Sequence, residues 1–303
     1  MTELREATAR DREAILALRR RCFPDDDREK QEPDFWDWEF RDGRMFIAED
    51  DGRAVAHLGF VPHDIRFRSG ETLASMLAVD AMTDPDYRRQ HLFSRVGAYA
   101  RDVLRQTQNL STAFQIRESV LPAMTRNGWN PALSTPVLVR PLSIGSSAPR
   151  VLGSSGEADL EHVFSIASAF LREHAHHPRT AAWLRWRFVA SPHWKYSIDV
   201  NDEAYVIARR TTLRGYDTLA IADIGWRDVR EAKLLLREVL GRGRAAGIRL
   251  AAALLNLSHP ALPLLVRSGF LPSPHRFRYL VNRFERELPR ARWALTWADT
   301  DHL

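Results

Sequence analysis

Met82-Thr83-Asp84-Pro85-Asp86-Tyr87-Arg88-Arg89-Gln90-His91-Leu92-Phe93 is the stretch from which this chain can be read outward. An apolar, strand-like run over residues 73–82 ends there, and Pro85-Asp86 marks a turn. From Asp84 the period becomes helical, with Leu92, Val96, Tyr99, Ala100, Val103 and Leu104 on one face. N–H groups at a helix start have no internal partners and carry the positive end of the helix dipole, so such a place binds phosphate. Arg88 and Arg89 add charge that can pair with phosphate oxygens. On spacing alone, a loop entering a helix with two solvated arginines is the favoured reading.

Upstream, residues 4–7 form a short strand, and Asp11 is expected to cap a helix with Ala14, Ile15, Leu18 and Cys22 on its apolar face. Pro33-Asp34 opens a second helix carrying Phe35, Trp36, Trp38 and Phe40. Strands follow over 45–49 and 54–61, joined by the hairpin signal Asp50-Asp51-Gly52-Arg53. Downstream come a strand over 110–116 and a short helix running into Gly128, placed for the left-handed residue that ends a helix. Residues 142–156 are rich in Ser, Gly and Pro and read as a linker. The second half echoes the first. Leu121, Pro122, Arg126, Gly128 and Trp129 fall on Leu262, Pro263, Arg267, Gly269 and Phe270 without gaps. The expectation is an α/β (α+β) fold of two repeats about 140 residues apart, in domains 1–142 and 157–303. Each would hold a mixed, mostly antiparallel sheet flanked by helices.

The quoted stretch resembles the coenzyme-A-binding signature of the GNAT superfamily of N-acyltransferases. There an Arg or Gln is followed by two small residues in the pattern R/Q-x-x-G-x-G/A, after a turn reading Thr-His-Pro-x-Tyr-Arg. Arg88 matches the leading Arg, and Thr83, Pro85 and Tyr87 match the turn. His91 and Phe93 stand where the glycines are expected. The resemblance implies acetyl-CoA or another acyl-CoA as co-substrate, no metal, and a cofactor site of Ala81, Met82, Thr83, Arg88, Arg89, Gln90, His91, Leu92 and Phe93. It also implies direct attack by an amine on a thioester whose carbonyl is polarised by the end of the fourth strand, at Ala81 and Met82. Candidate bases are Asp80 and Glu118; each is equally read as a paired or solvated carboxylate. The tyrosine that usually protonates the thiolate is replaced by Met124, and by Leu265 in the second repeat. Trp36 and Trp38 lie where such folds meet the acceptor, lining the pocket or filling it. The second repeat lacks the turn and places Glu231 at the phosphate position, so the first is expected to bind cofactor and the second to be degenerate.

The rest of the composition sets bounds. Hydrophobic residues make up 45% and charged residues 27%, the balance of a chain that buries a core. No run approaches the roughly 18 apolar residues of a membrane span, and the start lacks a signal-peptide pattern, so no membrane partner and a cytoplasmic location are expected. One cysteine, Cys22, excludes an internal disulfide and reads as a small core residue. The net charge of +5 is spread without a basic block, which disfavours nucleic acid. Glu173-His174-Ala175-His176-His177 offers metal ligands, but a solvated helix end is the stronger reading. Trp183, Trp186 and Trp194 read as core. The segment Trp183-Leu184-Arg185-Trp186-Arg187-Phe188, with Trp297-Ala298-Asp299, is similar to two-domain GNAT proteins of bacterial polysaccharide and amino-sugar pathways. The leading expectation is an N-acetyltransferase for a small-molecule amine, an amino sugar or nucleotide-linked amino sugar among them. The alternatives are a peptidoglycan-type aminoacyl-tRNA-dependent transferase and a degenerate GNAT-fold binding module. A homo-oligomer stays open.

Overall fold

The structure, a computed structural model, describes residues 2–24, 28–115, 118–142, 159–284 and 287–300. The chain forms two compact units: Met1–Asp64, Thr72–Leu133 and Arg278–Leu288 in the first; Ile65–Glu71, Ser134–Phe277 and Pro289–Leu303 in the second. The first contains β1 (Glu3–Glu6), α1 (Arg12–Cys22), α2 (Pro33–Glu39), β2 (Arg44–Asp50), β3 (Arg53–Pro62), β4 (Ser75–Thr83), α3 (Leu92–Leu104), β5 (Leu110–Gln115) and α4 (Leu121–Arg126). β6 (Asn130–Pro141) starts in the first unit and runs on in the second. The second continues with α5 (Leu160–Leu171), α6 (Ala181–Leu184), β7 (Ser197–Val200), β8 (Ala204–Leu213), β9 (Tyr216–Trp226), α7 (Val229–Ala245), β10 (Leu250–Leu254) and α8 (Leu262–Arg267). β11 (Leu271–Asn282) begins in the second unit and finishes in the first.

In the first unit the strand order is β1-β2-β3-β4-β5-β11, antiparallel except for the parallel pair β4–β5. The second repeats the plan as β7-β8-β9-β10-β6, again with one parallel pair, β9–β10. The α/β class and the two GNAT-like repeats are therefore present. The strand beside the fifth comes in each unit from the other half of the sequence, so the units do not follow a single cut between 142 and 157. The linker expected at 142–156 lies, beyond Leu142, outside the described residues.

Local chemistry explains the repeated parts. The β2–β3 and β8–β9 hairpins turn through left-handed pairs, Asp51 and Gly52 in one and Arg214 and Gly215 in the other. Gly128 ends α4 with φ +92° and lets Trp129 drop into the core, where it is fully buried and stacks on Phe60 at 6.2 Å. α3 buries Leu92, Val96, Ala100 and Leu104 against Phe46, Leu58 and Phe60 of the sheet. Asp11 does not cap α1 with its side chain; Thr8 and Asp11 form a capping box one turn earlier, and Arg5 holds the Asp11 carboxylate. No helix among the described residues is long and apolar enough to cross a membrane.

Candidate active site

The turn before α3 is held by a network of side-chain contacts. Asp84, 1% exposed, caps the following turn by accepting from the Asp86 N–H at 3.1 Å. Its carboxylate also receives Arg21 at 2.8 Å and Arg53, so these two arginines are held by the protein itself. Tyr87 donates to Asp50 at 2.8 Å and ties the turn to the β2–β3 hairpin. Arg88, Arg89 and Gln90 are exposed. Arg89 and His91 have φ +65° and +58°, and α3 starts directly after. Left-handed residues next to helical ones turn successive N–H groups into one concavity, which suits an anion. The first bond inside α3 runs from Arg95 N–H to the His91 carbonyl, so the N–H groups of Leu92, Phe93 and Ser94 have no helical partner. The His91 side chain does not cap them.

His91 thus adopts the backbone conformation for which glycine is the usual choice, with its imidazole exposed. Phe93 is half-buried and packs on the core, as its place on the first turn allows. A non-glycine residue in the left-handed region is strained by about 1 kcal/mol. His91→Gly is therefore expected to raise Tm slightly; a lower Tm in thermal unfolding would show that the imidazole makes a stabilising contact.

The second element is a split in the sheet. β4 and β5 pair in parallel from Ser75↔Leu110 to Ala78↔Ala113 and no further. β4 runs on to Thr83, while Phe114 and Gln115 pair on their other edge with Tyr279 and Arg278. At the split, β4 carries a bulge: the register with β3 shifts between His57 and Gly59, and Asp80 has φ +52°. Two contacts hold that bulge. His57 Nδ1–H donates to the Asp80 carbonyl at 2.8 Å, and Arg19 pairs with the Asp80 carboxylate. The Asp80 side chain is 6% exposed although the residue as a whole is half-buried, so the exposed part is main chain. Ala81 is exposed beside it; Met82 is buried opposite His57.

The electrostatics of Asp80 follow from this arrangement. Burial pushes its carboxyl up, but Arg19, then Lys30 and His57, outweigh that and hold it below the usual carboxylate range. A carboxylate so stabilised is a weak base, and its geometry is that of a buried ion pair. Glu118, at the same end of β5, is exposed and accepts from Arg278 at 2.8 Å. Trp36 and Trp38 are both buried, against Phe40 and Phe35 respectively, so they fill this region. Met124 is a core residue.

Other expectations need correction. Cys22 is half-buried at the end of α1, donates to the Thr83 carbonyl at 3.4 Å, and has its thiol pushed up by burial, so it is neither core nor nucleophile. His176 and His177 are not a solvated helix end; they are 4% and 7% exposed. No group of three or more ligating side chains occurs among the described residues. Trp194 is buried and stacks against Arg187 and Arg209, whereas Trp183 and Trp186 are only partly covered.

In the second unit the buried polar residues gather around Arg179. It donates to Asp223 at 2.8 Å and to both oxygens of Asp299 at 2.7 and 2.8 Å, and all three side chains are at most 2% exposed. None of these long-range pairs has a local sequence signal.

Residues 3–132 match the acetyltransferase (GNAT) domain family. No curated protein matches the chain. Among solved structures, a conserved protein of unknown function from Enterococcus faecalis superposes with TM-score 0.70 at 15% identity, over 94% of this chain and 73% of that one. A GCN5-related N-acetyltransferase from Anabaena variabilis gives 0.66 at 12% identity, over 93% and 73%. Eis1 from Mycobacterium abscessus gives 0.60 at 14%, over 94% and 74%. At these identities the likeness is one of fold.

Proposed function

We propose, from the premise that residues 3–132 match the acetyltransferase (GNAT) domain family, that the protein transfers an acyl group from acyl-CoA to an amine. The observation that carries this reading is the coincidence of two features: an α3 N-terminus that the His91 side chain does not cap, and a β4 that leaves β5 after Ala78. In the reading, the N–H groups of residues 90–94 and the Arg88 and Arg89 side chains hold the diphosphate. The thioester arm enters between the ends of β4 and β5. The N–H of Ala81 or Met82, fixed by the bulge, stabilises the charge that develops on the thioester oxygen. The amine attacks the carbonyl directly, the C–S bond breaks, and the proton leaves by water toward Glu118, the exposed carboxylate at the end of β5. Asp80 acts by fixing the bulge. With Met124 at the usual acid position, solvent protonates the thiolate.

The acceptor we infer is a small-molecule amine, with amino sugars and nucleotide-linked amino sugars first in line, because a net charge of +5 suits a phosphorylated partner. Acetyl-CoA is the first acyl donor to test. Thiol release from acetyl-CoA across a panel of amines tests the reading, and turnover with at least one is expected. Arg88→Glu is expected to raise KM for acetyl-CoA about 10-fold or more, by removing a charge-assisted hydrogen bond. His91→Gly is expected to lower it. Acetyl-CoA bound but never turned over would favour a binding module, and dependence on charged tRNA would favour an aminoacyl transferase.

A further inference from the structure

We infer that the second unit retains the same cleft and that the chain fills it with its own segment, residues 293–300, leaving one acyl-CoA site per protein. The inference rests on the reading of the first unit given above. The likeness of the clefts is geometric. β9 pairs with β10 in parallel from Thr218↔Leu250 to Ile221↔Ala253 and then stops, as β4 does with β5. β9 also carries its irregularity at that point, opposite Ile207 and Ala208, and runs on to Trp226.

What differs is the occupant. Past β10, Leu255 pairs antiparallel with Thr296. Leu295 N–H donates to Asn256 Oδ1 at 2.8 Å, and Asn256 Nδ2 donates to the Trp293 carbonyl at 2.8 Å. On the other wall the Thr296 hydroxyl donates to Asp223 Oδ1 of β9 at 3.2 Å. The segment is thus bonded to both strands that diverge. Trp297 is 2% exposed, and Arg179 grips Asp299 with both terminal nitrogens. A peptide carries amide groups at intervals, as the pantetheine arm of an acyl-CoA does, so it can answer the same exposed strand groups. The phosphate end is answered as well. The Asp228 carboxylate accepts from Arg230 N–H at 2.8 Å at the start of α7, an internal anion where α3 has none. Cleft and helix start are thus both liganded from within the second unit.

Hydrogen exchange and equilibrium dialysis on the full chain, with acetyl-CoA at millimolar concentration, test this. The expected result is one acetyl-CoA per chain, new protection within residues 79–95, and unchanged protection at 293–300. Two bound per chain, or faster exchange at 293–300 with new protection at 219–231, would overturn the inference. None bound, with 293–300 still protected, would sink the first-unit reading and the count of one site, and leave standing only the filling of the second cleft. Asn256→Ala removes the bonds to Leu295 and Trp293 while keeping the Arg179 grip, and should speed exchange at Leu295 about tenfold. Unchanged exchange there would mean that the segment is not held by this wall.

Discussion

Arg179→Met is expected to lower the stability of the second unit by about 3–5 kcal/mol, the cost of leaving buried charges without their partner. For a unit of this size that is a fall in Tm of about 6–20 °C. Arg179 is fully buried, and its removal takes from Asp223 and Asp299, 2% and 0% exposed, the guanidinium to which both are bonded. Burial already pushes the Asp223 carboxyl above its usual range, so without the guanidinium one of the two acids would take up a proton. Adding Asp223→Asn and Asp299→Asn to Arg179→Met should recover much of the loss; strict additivity in the double-mutant cycle would show that the three residues do not act together. The same cluster sets an acid limit. His176 and His259 are buried and neutral, their pKa values lowered by desolvation to about 4 and about 3. Between those values and the ordinary 6.5 the unfolded chain binds protons that the folded chain does not. Stability therefore falls as pH drops from about 6.5 towards 4, and a flat Tm over that window would contradict the burial.

Asp80→Ala is expected to cost about 3 kcal/mol or more and to remove most turnover. It takes the Asp80 carboxylate from Arg19, 4% exposed, and frees the bulge that aims the N–H groups of Ala81 and Met82. The two roles of Asp80 separate by pH. A positioning Asp80 has its carboxyl held low by Arg19 against burial, so its contribution is full at neutral pH. It starts to be lost as pH falls through about 4, the unfolded value, and is gone below the folded one. Arg19→Met should then reduce kcat without moving the pH profile near neutrality. An acid limb that shifts upward in Arg19→Met would instead make Asp80 the base. Glu118→Gln should reduce kcat with little change in Tm, because its carboxylate is exposed.

Much of this architecture was legible in local signals. The step from strand to helix at Asp84, the Asp51-Gly52 hairpin, the left-handed Gly128 before Trp129 and the alignment of α4 on α8 all follow from turn chemistry and periodicity. The exchange of β6 and β11 between the units was not, because strand pairing depends on partners far along the chain. For the same reason the pairs Arg19–Asp80 and Arg179–Asp299, 61 and 120 residues apart, left no trace in composition. His57 is a case between: a lone histidine in an apolar strand reads as core, and only the bulge shows that its Nδ1–H holds the Asp80 carbonyl. His91 was visible as a departure from the glycine pattern, but its left-handed backbone was not, since histidine does not announce that conformation. The role of residues 293–300 was hidden most completely, because a segment that fills a cleft has the composition of any other.

The central claim is that main-chain N–H groups at the start of α3, together with the split between β4 and β5, bind acyl-CoA. A crystal structure of the protein with acetyl-CoA tests it most directly. The account predicts the diphosphate within hydrogen-bond distance of the residue 90–94 amides, the thioester oxygen facing Ala81 or Met82, and His91 turned to solvent. A diphosphate bound elsewhere, or an imidazole closing the α3 start with the cleft empty, would contradict it.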